Sequence, residues 1–296
     1  MKLQMGSQEL ELPGKYLDYL NDSTECLNDA DAMRARMADD GYLLLRGVLD
    51  KDLVLEARRQ MLELLAEEGQ LDPSFPIMDG VRNSDSQGGF RGGDKKLTDV
   101  PAFVELVRSG NLIRFWETFL GGEVLPFDFR WLRVVPPGSF TGAHYDVVYM
   151  GRGTLNLYTT WTPLGDVPFE QGPLAMLEGS HRFEQVKETY GKMDVDRDHV
   201  QGWFSNDPHE LIDKYGGQWK TAEFEVGDIL VFGMFTMHAS FKNTSNCFRL
   251  SSDTRYQLAA DNVDERWIGQ NPIAHYGWNN PEKNVSMEEM RDKWGV

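Results

Sequence analysis

The sequence predicts a mainly β protein with flanking helices (an α+β fold), built on a double-stranded β-helix, that is, a jelly-roll or cupin-like core. Two observations predict this class. From about residue 123 onward, short aromatic and β-branched runs alternate with Gly and Pro, which is typical of strands joined by turns in a sandwich or barrel. Before that point the chain is mainly helical in character. No linker separates the two parts, so we expect residues 1–296 to form a single domain, with the helical third packed on the core.

The first third is expected to contain two helices around one short strand. Both helices lie in NDADAMRARMADDGYLLLRGVLDKDLVLEARRQMLELLAEEGQ, and the strand is GYLLLRGV between them. Asp50 suits the N-cap of the second helix because its side chain can accept a hydrogen bond from the first helical turn, and Gly69 suits the end of that helix. A further helical stretch follows at VPAFVELVRSGNLIRFWETFLG.

A long loop is expected between these helical stretches, because residues 72–98 are rich in Gly, Asp and Ser. Loops of this length inside a compact domain are usually functional or mobile. Within it, we expect residues 79–95 to form a lid that is mobile without substrate and becomes ordered when substrate binds.

The strands of the core are predicted from six runs in the second part of the chain. They are EVLPFDFRWLRVVPPGS, HYDVVYM, LNLYTTWTPL, GPLAMLEGSH, AEFEVGDILVFGMFTMHASF and FRLSSDTRYQLA. Short strands in this number, separated by turns, predict two packed sheets with helices on them.

Composition excludes several classes of function. The chain has 30 basic and 47 acidic residues, a net charge of −17, which argues against nucleic acid or an anionic membrane surface as a partner. Its two cysteines show no pairing pattern, so neither a disulfide framework nor a structural zinc site is supported. The first residues carry no apolar leader, and no run of 18 apolar residues occurs. We therefore expect a cytoplasmic protein. The net charge says little about a small substrate, because a local basic pocket can lie inside an acidic surface.

A metal-binding pair is suggested by TGAHYDVVYM, which places His144 and Asp146 two residues apart in a run that is interpreted as a strand. Side chains at that spacing share one face of a strand. A third ligand is expected at His238, which closes the apolar run GDILVFGMFTMH and can lie beside the first pair across a jelly roll. The other histidines have no such setting: His181, His199, His209 and His275.

Two imidazoles and one carboxylate on one face form the facial triad of non-haem Fe(II) oxygenases, in which the remaining positions stay open. A co-substrate and O₂ must both reach the metal, so a closed site with four protein ligands would not serve. Fe(II) is therefore the metal that this pattern predicts.

An anion-binding pair is expected eleven residues past the last histidine, at Arg249. If the chain turns at KNTSN and runs back on the neighbouring strand, Arg249 returns to the site, with Ser251 on the same face. A guanidinium and a hydroxyl together can bind a carboxylate, as in 2-oxoglutarate. Arg255 shares that face and is the rival arginine, although an ion pair with Asp253 or Asp146 is the interpretation we prefer for it.

The chain resembles the phytanoyl-CoA dioxygenase family of Fe(II)/2-oxoglutarate oxygenases over most of its length. The resemblance is carried by these stretches: DDGYLLLRGVLDKDLV, GAHYD, WTPLGDVPFEQGPLAMLEGSH, GDILVFGMFTMHAS and FRLSSDTRYQ. It implies that Fe(II) is bound by His144, Asp146 and His238, with 2-oxoglutarate and O₂ as co-substrates. It also implies hydroxylation of a small molecule, with release of succinate and CO₂, and no catalytic residue beyond the metal site.

The resemblance further assigns the co-substrate pocket. Arg249 and Ser251 stand where the family binds the distal carboxylate of 2-oxoglutarate, and Trp161, seventeen residues after the first ligand, stands where some members line that pocket. Related halogenases carry a small residue in place of Asp146, so halogenation is not expected. The competing interpretation is a non-catalytic cupin-like metal-binding or sensor module. The primary substrate, the outcome of the oxidation and the oligomeric state stay open.

Overall fold

The computed structural model describes residues 1–89, 91–92, 94–277 and 284–296, with the backbone alone for residues 91–92. Its strands are β1 (Lys2–Met5), β2 (Gln8–Glu11), β3 (Leu17–Tyr19), β4 (Tyr42–Leu45), β5 (Arg91–Gly92), β6 (Val124–Pro126), β7 (Trp131–Val135), β8 (Tyr158–Pro163), β9 (Leu174–Leu177), β10 (Trp219–Thr221), β11 (Ile229–Gly233), β12 (His238–Ser240) and β13 (Arg249–Leu258). Its α-helices are α1 (Ala30–Asp40), α2 (Lys51–Glu67), α3 (Lys95–Thr98), α4 (Pro101–Val107), α5 (Gly110–Leu120), α6 (Val147–Met150), α7 (Glu184–Glu188), α8 (Val195–Asp198), α9 (Pro208–Tyr215) and α10 (Met287–Trp294).

Two main sheets form the core. The 7-stranded sheet has the order β4-β11-β8-β13-β7-β5, with β6 added beside β13, and the 4-stranded sheet has the order β12-β9-β10-β3. A separate hairpin joins β1 to β2. Helices α2, α4 and α5 contribute buried side chains to the apolar cluster on one side of the larger sheet. The predicted fold class, a double-stranded β-helix with flanking helices, is confirmed.

Strand β13 lies between β8 and β7 and is buried along nearly its whole length. Its side chains alternate between the two faces of the sheet. Leu250 and Tyr256 belong to the apolar cluster shared with the helices, and the Tyr256 ring stacks on Trp116 of α5 with centroids 5.2 Å apart. Arg249 and Ser251 take the opposite face, toward the smaller sheet. One strand therefore joins the helical layer to the interior of the jelly roll.

The predicted cap of α2 is confirmed. The Asp50 carboxylate accepts a hydrogen bond from the backbone N–H of Leu53 at 3.1 Å, which satisfies one unpaired donor of the first turn. The helix ends at Glu67, and Gly69 just beyond it has a φ of 70°. A side chain at that φ would be strained, so glycine fits the exit from the helix.

The first third of the chain contributes more strand than its composition suggests. Strand β4 pairs with β11 at one edge of the larger sheet, and β3 pairs in parallel with β10 in the smaller one. The run Tyr42–Leu45 was expected as a strand, but β1, β2 and β3 were not. They are three or four residues long, which is too short for a clear alternating pattern.

The predicted loop at residues 72–98 contains short structure of its own. Strand β5 pairs with β7, so that Gly92 lies opposite Arg133, and α3 follows it. The expected lid at residues 79–95 lies partly outside the described residues, and its mobility stays a prediction. Among the helices that the structure describes, none is both long enough and apolar enough to cross a membrane.

Candidate metal centre and co-substrate pocket

His144 and His238 are brought together by their backbones. The N–H of His144 donates to the carbonyl of His238 at 3.0 Å, and the N–H of His238 donates back at 3.1 Å. Their ring centroids lie 4.1 Å apart. The predicted juxtaposition is therefore present, but the expected strand is not continuous: β11 ends at Gly233, and His238 begins β12 in the other sheet.

Asp146 reaches the same point by a different route from the one expected. The run HYDVVYM was interpreted as a strand, whereas Asp146 has helical dihedral angles (φ −67°, ψ −27°) and precedes α6. The chain turns after His144, and this turn brings the carboxylate back to the imidazoles. Asp146 Oδ1 lies 4.0 Å from Nε2 of His144 and 3.8 Å from Nε2 of His238. The three candidate ligand atoms all lie within 4.8 Å of one another.

Backbone carbonyls orient both imidazoles. Nδ1 of His144 lies 2.8 Å from the carbonyl oxygen of Gly142, and Nδ1 of His238 lies 3.0 Å from that of Thr236. A carbonyl only accepts, so each Nδ1 carries the proton and each Nε2 keeps a lone pair that faces the cluster. Protein metal sites commonly fix the tautomer of a ligating histidine in this way.

Burial and neighbouring charges set the protonation of the three groups. Burial lowers the pKa of His144 well below its ordinary value and also lowers that of His238, so both are neutral at neutral pH. Burial alone would raise the pKa of Asp146, but the charge of Arg255 is the main influence that outweighs burial and holds that pKa well below its usual range. Two neutral imidazoles and one carboxylate are the donor set that a divalent metal of the iron type requires.

Arg249 and Ser251 lie together on the inner face of β13. The Nη1 of Arg249 donates to the carbonyl of Gly172 at 2.8 Å. Burial lowers the pKa of Arg249 to about 10, so it stays a cation at neutral pH. Within the part of the chain that the structure describes, Nε of Arg249 and the hydroxyl of Ser251 are buried and have no hydrogen-bond partner. Buried donors of this kind are costly unless satisfied, and together they fit a carboxylate ligand.

The route by which Arg249 reaches this position differs from the predicted one. We expected a return along the neighbouring strand in the same sheet. Instead, β12 pairs with β9 in the smaller sheet, and β13 pairs with β7 and β8 in the larger one. The chain therefore crosses between the sheets after Ser240, and Arg249 lies in the sheet opposite to that of His238.

Trp161 lies on β8, beside this arginine. The Arg249 guanidinium is 5.9 Å from the centroid of the indole ring, within the range of a cation–π contact. The same ring packs against Phe224 with centroids 4.7 Å apart. Trp161 is therefore a core residue that also lies against the Arg249 guanidinium.

Two further residues at the site were not picked out as site residues by the sequence. Thr159 of β8 donates its hydroxyl to Asp146 Oδ2 at 2.5 Å, and Arg133 of β7 donates Nε to the carboxylate of Asp253 at 2.7 Å. Alternation within their strands could have placed both on the inner face, but many buried strand positions share that pattern. Arg255 forms the ion pair with Asp146 that we preferred for it, at 3.0 Å.

The chain is similar in sequence to a known protein family and to two curated relatives. A family model described as phytanoyl-CoA dioxygenase matches residues 37–251. Two curated relatives are named 1-deoxypentalenic acid 11-beta-hydroxylase. The protein of Streptomyces exfoliatus is 30% identical over 264 residues (82% of this chain, 87% of the relative), and that of Streptomyces arenae is 28% identical over 261 residues (83% and 87%).

Solved structures share the fold. The iron-bound structure of EctD from S. alaskensis aligns with a TM-score of 0.58 at 18% identity and covers 92% of each chain. The epimerase SnoN, in complex with Fe3+, alpha ketoglutarate and nogalamycin RO, aligns with a TM-score of 0.57 at 20% identity, over 83% of this chain and 93% of that one. At these identities the likeness supports the architecture.

Proposed function

The chain belongs to the phytanoyl-CoA dioxygenase family, and we propose that it hydroxylates a small molecule at the site formed by His144, Asp146 and His238. One observation carries the proposal: the ligand atoms of these three residues lie within 4.8 Å of one another. Both imidazoles present an unprotonated Nε2 to this cluster, and the carboxylate is ionised. These residues fit Fe(II), which suits two imidazoles and one carboxylate with further positions open.

The chemistry that the cofactor pair supplies when bound is O₂-dependent hydroxylation of the substrate, coupled to conversion of 2-oxoglutarate to succinate and CO₂. The residues of the chain bind and orient. Gly142 and Thr236 fix the two imidazoles through their carbonyls. The surrounding strands keep the ligands away from bulk water, since His144, Asp146 and His238 are at most 5% exposed.

We propose that the distal carboxylate of 2-oxoglutarate is bound by Arg249 and Ser251, with Trp161 as a wall. The support is that Arg249 Nε and the Ser251 hydroxyl are buried on the same face of β13 and, within the described part of the chain, have no hydrogen-bond partner, as is also true of Ser252 and of Arg255 Nε on this strand. A carboxylate that accepts from both would remove the cost of leaving them unpaired and would neutralise a guanidinium that is only 2% exposed. The hydroxyl of Ser251 adds a second point of contact, which fixes the orientation of the co-substrate.

The experiment that tests the function is uncoupled turnover. Purified protein with Fe(II), ascorbate, O₂ and 2-oxoglutarate but no primary substrate is expected to form succinate slowly. The matched control is His238→Ala, which removes one metal ligand and should form none. The competing interpretation, a non-catalytic binding module, predicts no succinate from either protein.

The names of the relatives support a small organic substrate rather than a macromolecule. A metabolite mixture screened for compounds that accelerate succinate formation would identify the substrate class. A compound that accelerates succinate formation and is itself oxidised without gaining oxygen would show that another oxidation takes place instead of hydroxylation.

We also propose that the chain functions as one domain and works in the cytoplasm. Pairing of β4 with β11 supports the first point, because it places the first third inside the larger sheet. The free cysteines Cys26 and Cys247 are in accord with a reducing compartment. A single unfolding transition and recovery of the protein in the cytosolic fraction are the expected results.

A further inference from the structure

Arg255 and Thr159 lie directly opposite each other on the paired strands β13 and β8. Both side chains bond the same atom. Nη2 of Arg255 donates to Asp146 Oδ2 at 3.0 Å, and the Thr159 hydroxyl donates to that oxygen at 2.5 Å. The second distance is typical of a charge-assisted O–H···O⁻ bond.

The other carboxylate oxygen has a different environment. Oδ1 of Asp146 faces Nε2 of both His144 and His238, at 4.0 and 3.8 Å. The two oxygens therefore have different partners. Oδ2 accepts hydrogen bonds from protein donors, and Oδ1 is directed at the point where the two imidazoles converge.

We propose that Arg255 and Thr159 are positioning residues that restrict Asp146 to one metal bond, through Oδ1. A carboxylate that binds with both oxygens occupies two coordination positions, and an iron site of this kind needs its remaining positions for co-substrate and O₂. Holding Oδ2 away from the metal keeps those positions available. This inference rests on the proposed metal site and adds residues that the ligand set alone does not include.

Arg255 is itself held by contacts beyond its ion pair with Asp146. Its Nη1 donates to the backbone carbonyl of Asp253 at 3.0 Å, and its guanidinium lies 4.3 Å from the centroid of the Trp131 ring. The side chain is 2% exposed. Its planar fork thus bridges Asp146 and the backbone of its own strand, which a lysine ammonium cannot reproduce.

If the contacts to Asp146 were purely structural, their loss would not change metal binding. Co(II) binding therefore distinguishes a positioning role from a structural one. Co(II) affinity and its visible absorption, which depends on coordination number, are measured on anaerobic protein with and without 2-oxoglutarate. Thr159→Val is expected to weaken Co(II) binding by about 10- to 100-fold, the usual effect of losing a group that orients a ligand, and to change the absorption band. Thr159→Ser keeps the hydroxyl and is expected to restore both.

The matched control is Thr160→Val on the same strand. The Thr160 hydroxyl faces the helical layer and accepts from the Trp116 indole N–H at 3.1 Å. Its loss is expected to lower stability but to leave Co(II) affinity and spectrum unchanged.

Arg255→Gln is expected to weaken Co(II) binding and change the absorption band as Thr159→Val does. Arg255→Lys is expected to restore only part of the Co(II) affinity. Thr159→Val affects the site without removing a buried charge, so the test does not depend on whether Arg255→Gln folds.

The outcomes distinguish this inference from the proposed function. Wild-type affinity and spectrum in Thr159→Val would overturn the positioning role while the metal site stands. Absence of Co(II) binding by the wild-type protein itself would overturn the proposed function, and the positioning role with it.

Discussion

His144 and His238 are a hydrogen-bonded antiparallel pair whose backbones donate to each other at 3.0 and 3.1 Å. The separation of the two imidazoles is therefore set by main-chain pairing, which brings paired Cα atoms to about 5.5 Å. This bridge joins the loop before α6 to β12. A side-chain substitution at either position should leave the backbone bridge in place.

The first prediction follows from that bridge. His144→Ala or His238→Ala should keep the fold but lose Fe(II) binding and succinate formation, because the two remaining ligands cannot hold a labile metal. Metal stoichiometry by calorimetry, together with circular dichroism, checks this. His209→Ala is the matched control, since the His209 ring packs against Tyr16 instead, with ring centroids 4.1 Å apart. Full metal stoichiometry in either ligand variant would contradict the assignment.

The second prediction concerns the charge at Asp146. Asp146→Ala should lose hydroxylation and leave Arg255 buried without its carboxylate. Breaking a buried ion pair in this way costs about 3–5 kcal/mol of stability. Urea unfolding of the metal-free protein should show this loss, whereas His144→Ala should show a smaller one. Equal losses in the two variants would mean that the Asp146–Arg255 pair contributes little.

The third prediction concerns Arg249. Arg249→Ala should raise the apparent constant for 2-oxoglutarate by roughly two to three orders of magnitude, because about 3–5 kcal/mol is typical for removing one partner of a buried pair. Iron affinity should change little. Arg249→Lys should recover only part of the loss, since an ammonium lacks the planar fork. Arg255→Ala is the comparison variant. Because Arg255 acts on the metal site through Asp146, only a larger effect on 2-oxoglutarate at unchanged metal affinity would show that the wrong arginine has been chosen.

The fourth prediction is a pH dependence of the metal-free protein. The folded-state pKa values of His144 and His238 lie below 6.5, so the unfolded chain takes up protons first as the pH falls. Stability is therefore complete above about pH 6.5 and decreases as the pH falls below it. The lowered pKa of Asp146 acts in the same direction only at lower pH.

Unfolding free energies at pH 7.5 and 5.5 check this dependence. His144→Gln should lose less stability on acidification than the wild-type protein does, because one of the two titrating groups is gone. An identical loss in both proteins would contradict the assignment of the pH dependence to this histidine.

The composition of the site could be predicted from the sequence, but part of its geometry could not. His-x-Asp, a histidine at the end of an apolar run and an arginine eleven residues later define a chemistry by residue type and spacing. The same-face argument for His144 and Asp146 was wrong, because the chain becomes helical at Asp146. A single tight turn satisfies the spacing as well as a strand does, and periodicity over two residues cannot separate them.

The sequence also could not predict which strand joins which sheet. The run GDILVFGMFTMH has one uniform apolar character, yet Gly233 ends β11 in the larger sheet and His238 begins β12 in the smaller one. Thr236 lies between them and turns its hydroxyl to the carbonyl of Gly41 at 2.7 Å. That contact joins parts of the chain 195 residues apart, and no local pattern encodes it.

Strand β13 carries different side chains on its two faces, and this limits which sequence changes the enzyme can tolerate. On one face it carries Arg249 and Ser251, and on the other Leu250 and Tyr256, which pack with the helices. Inserting or deleting one residue would exchange the two sets, moving charge into the apolar layer and apolar groups into the pocket. Insertion and deletion scanning should therefore find β13 intolerant of length change, so new substrate preferences in directed evolution should arise from the connecting loops instead.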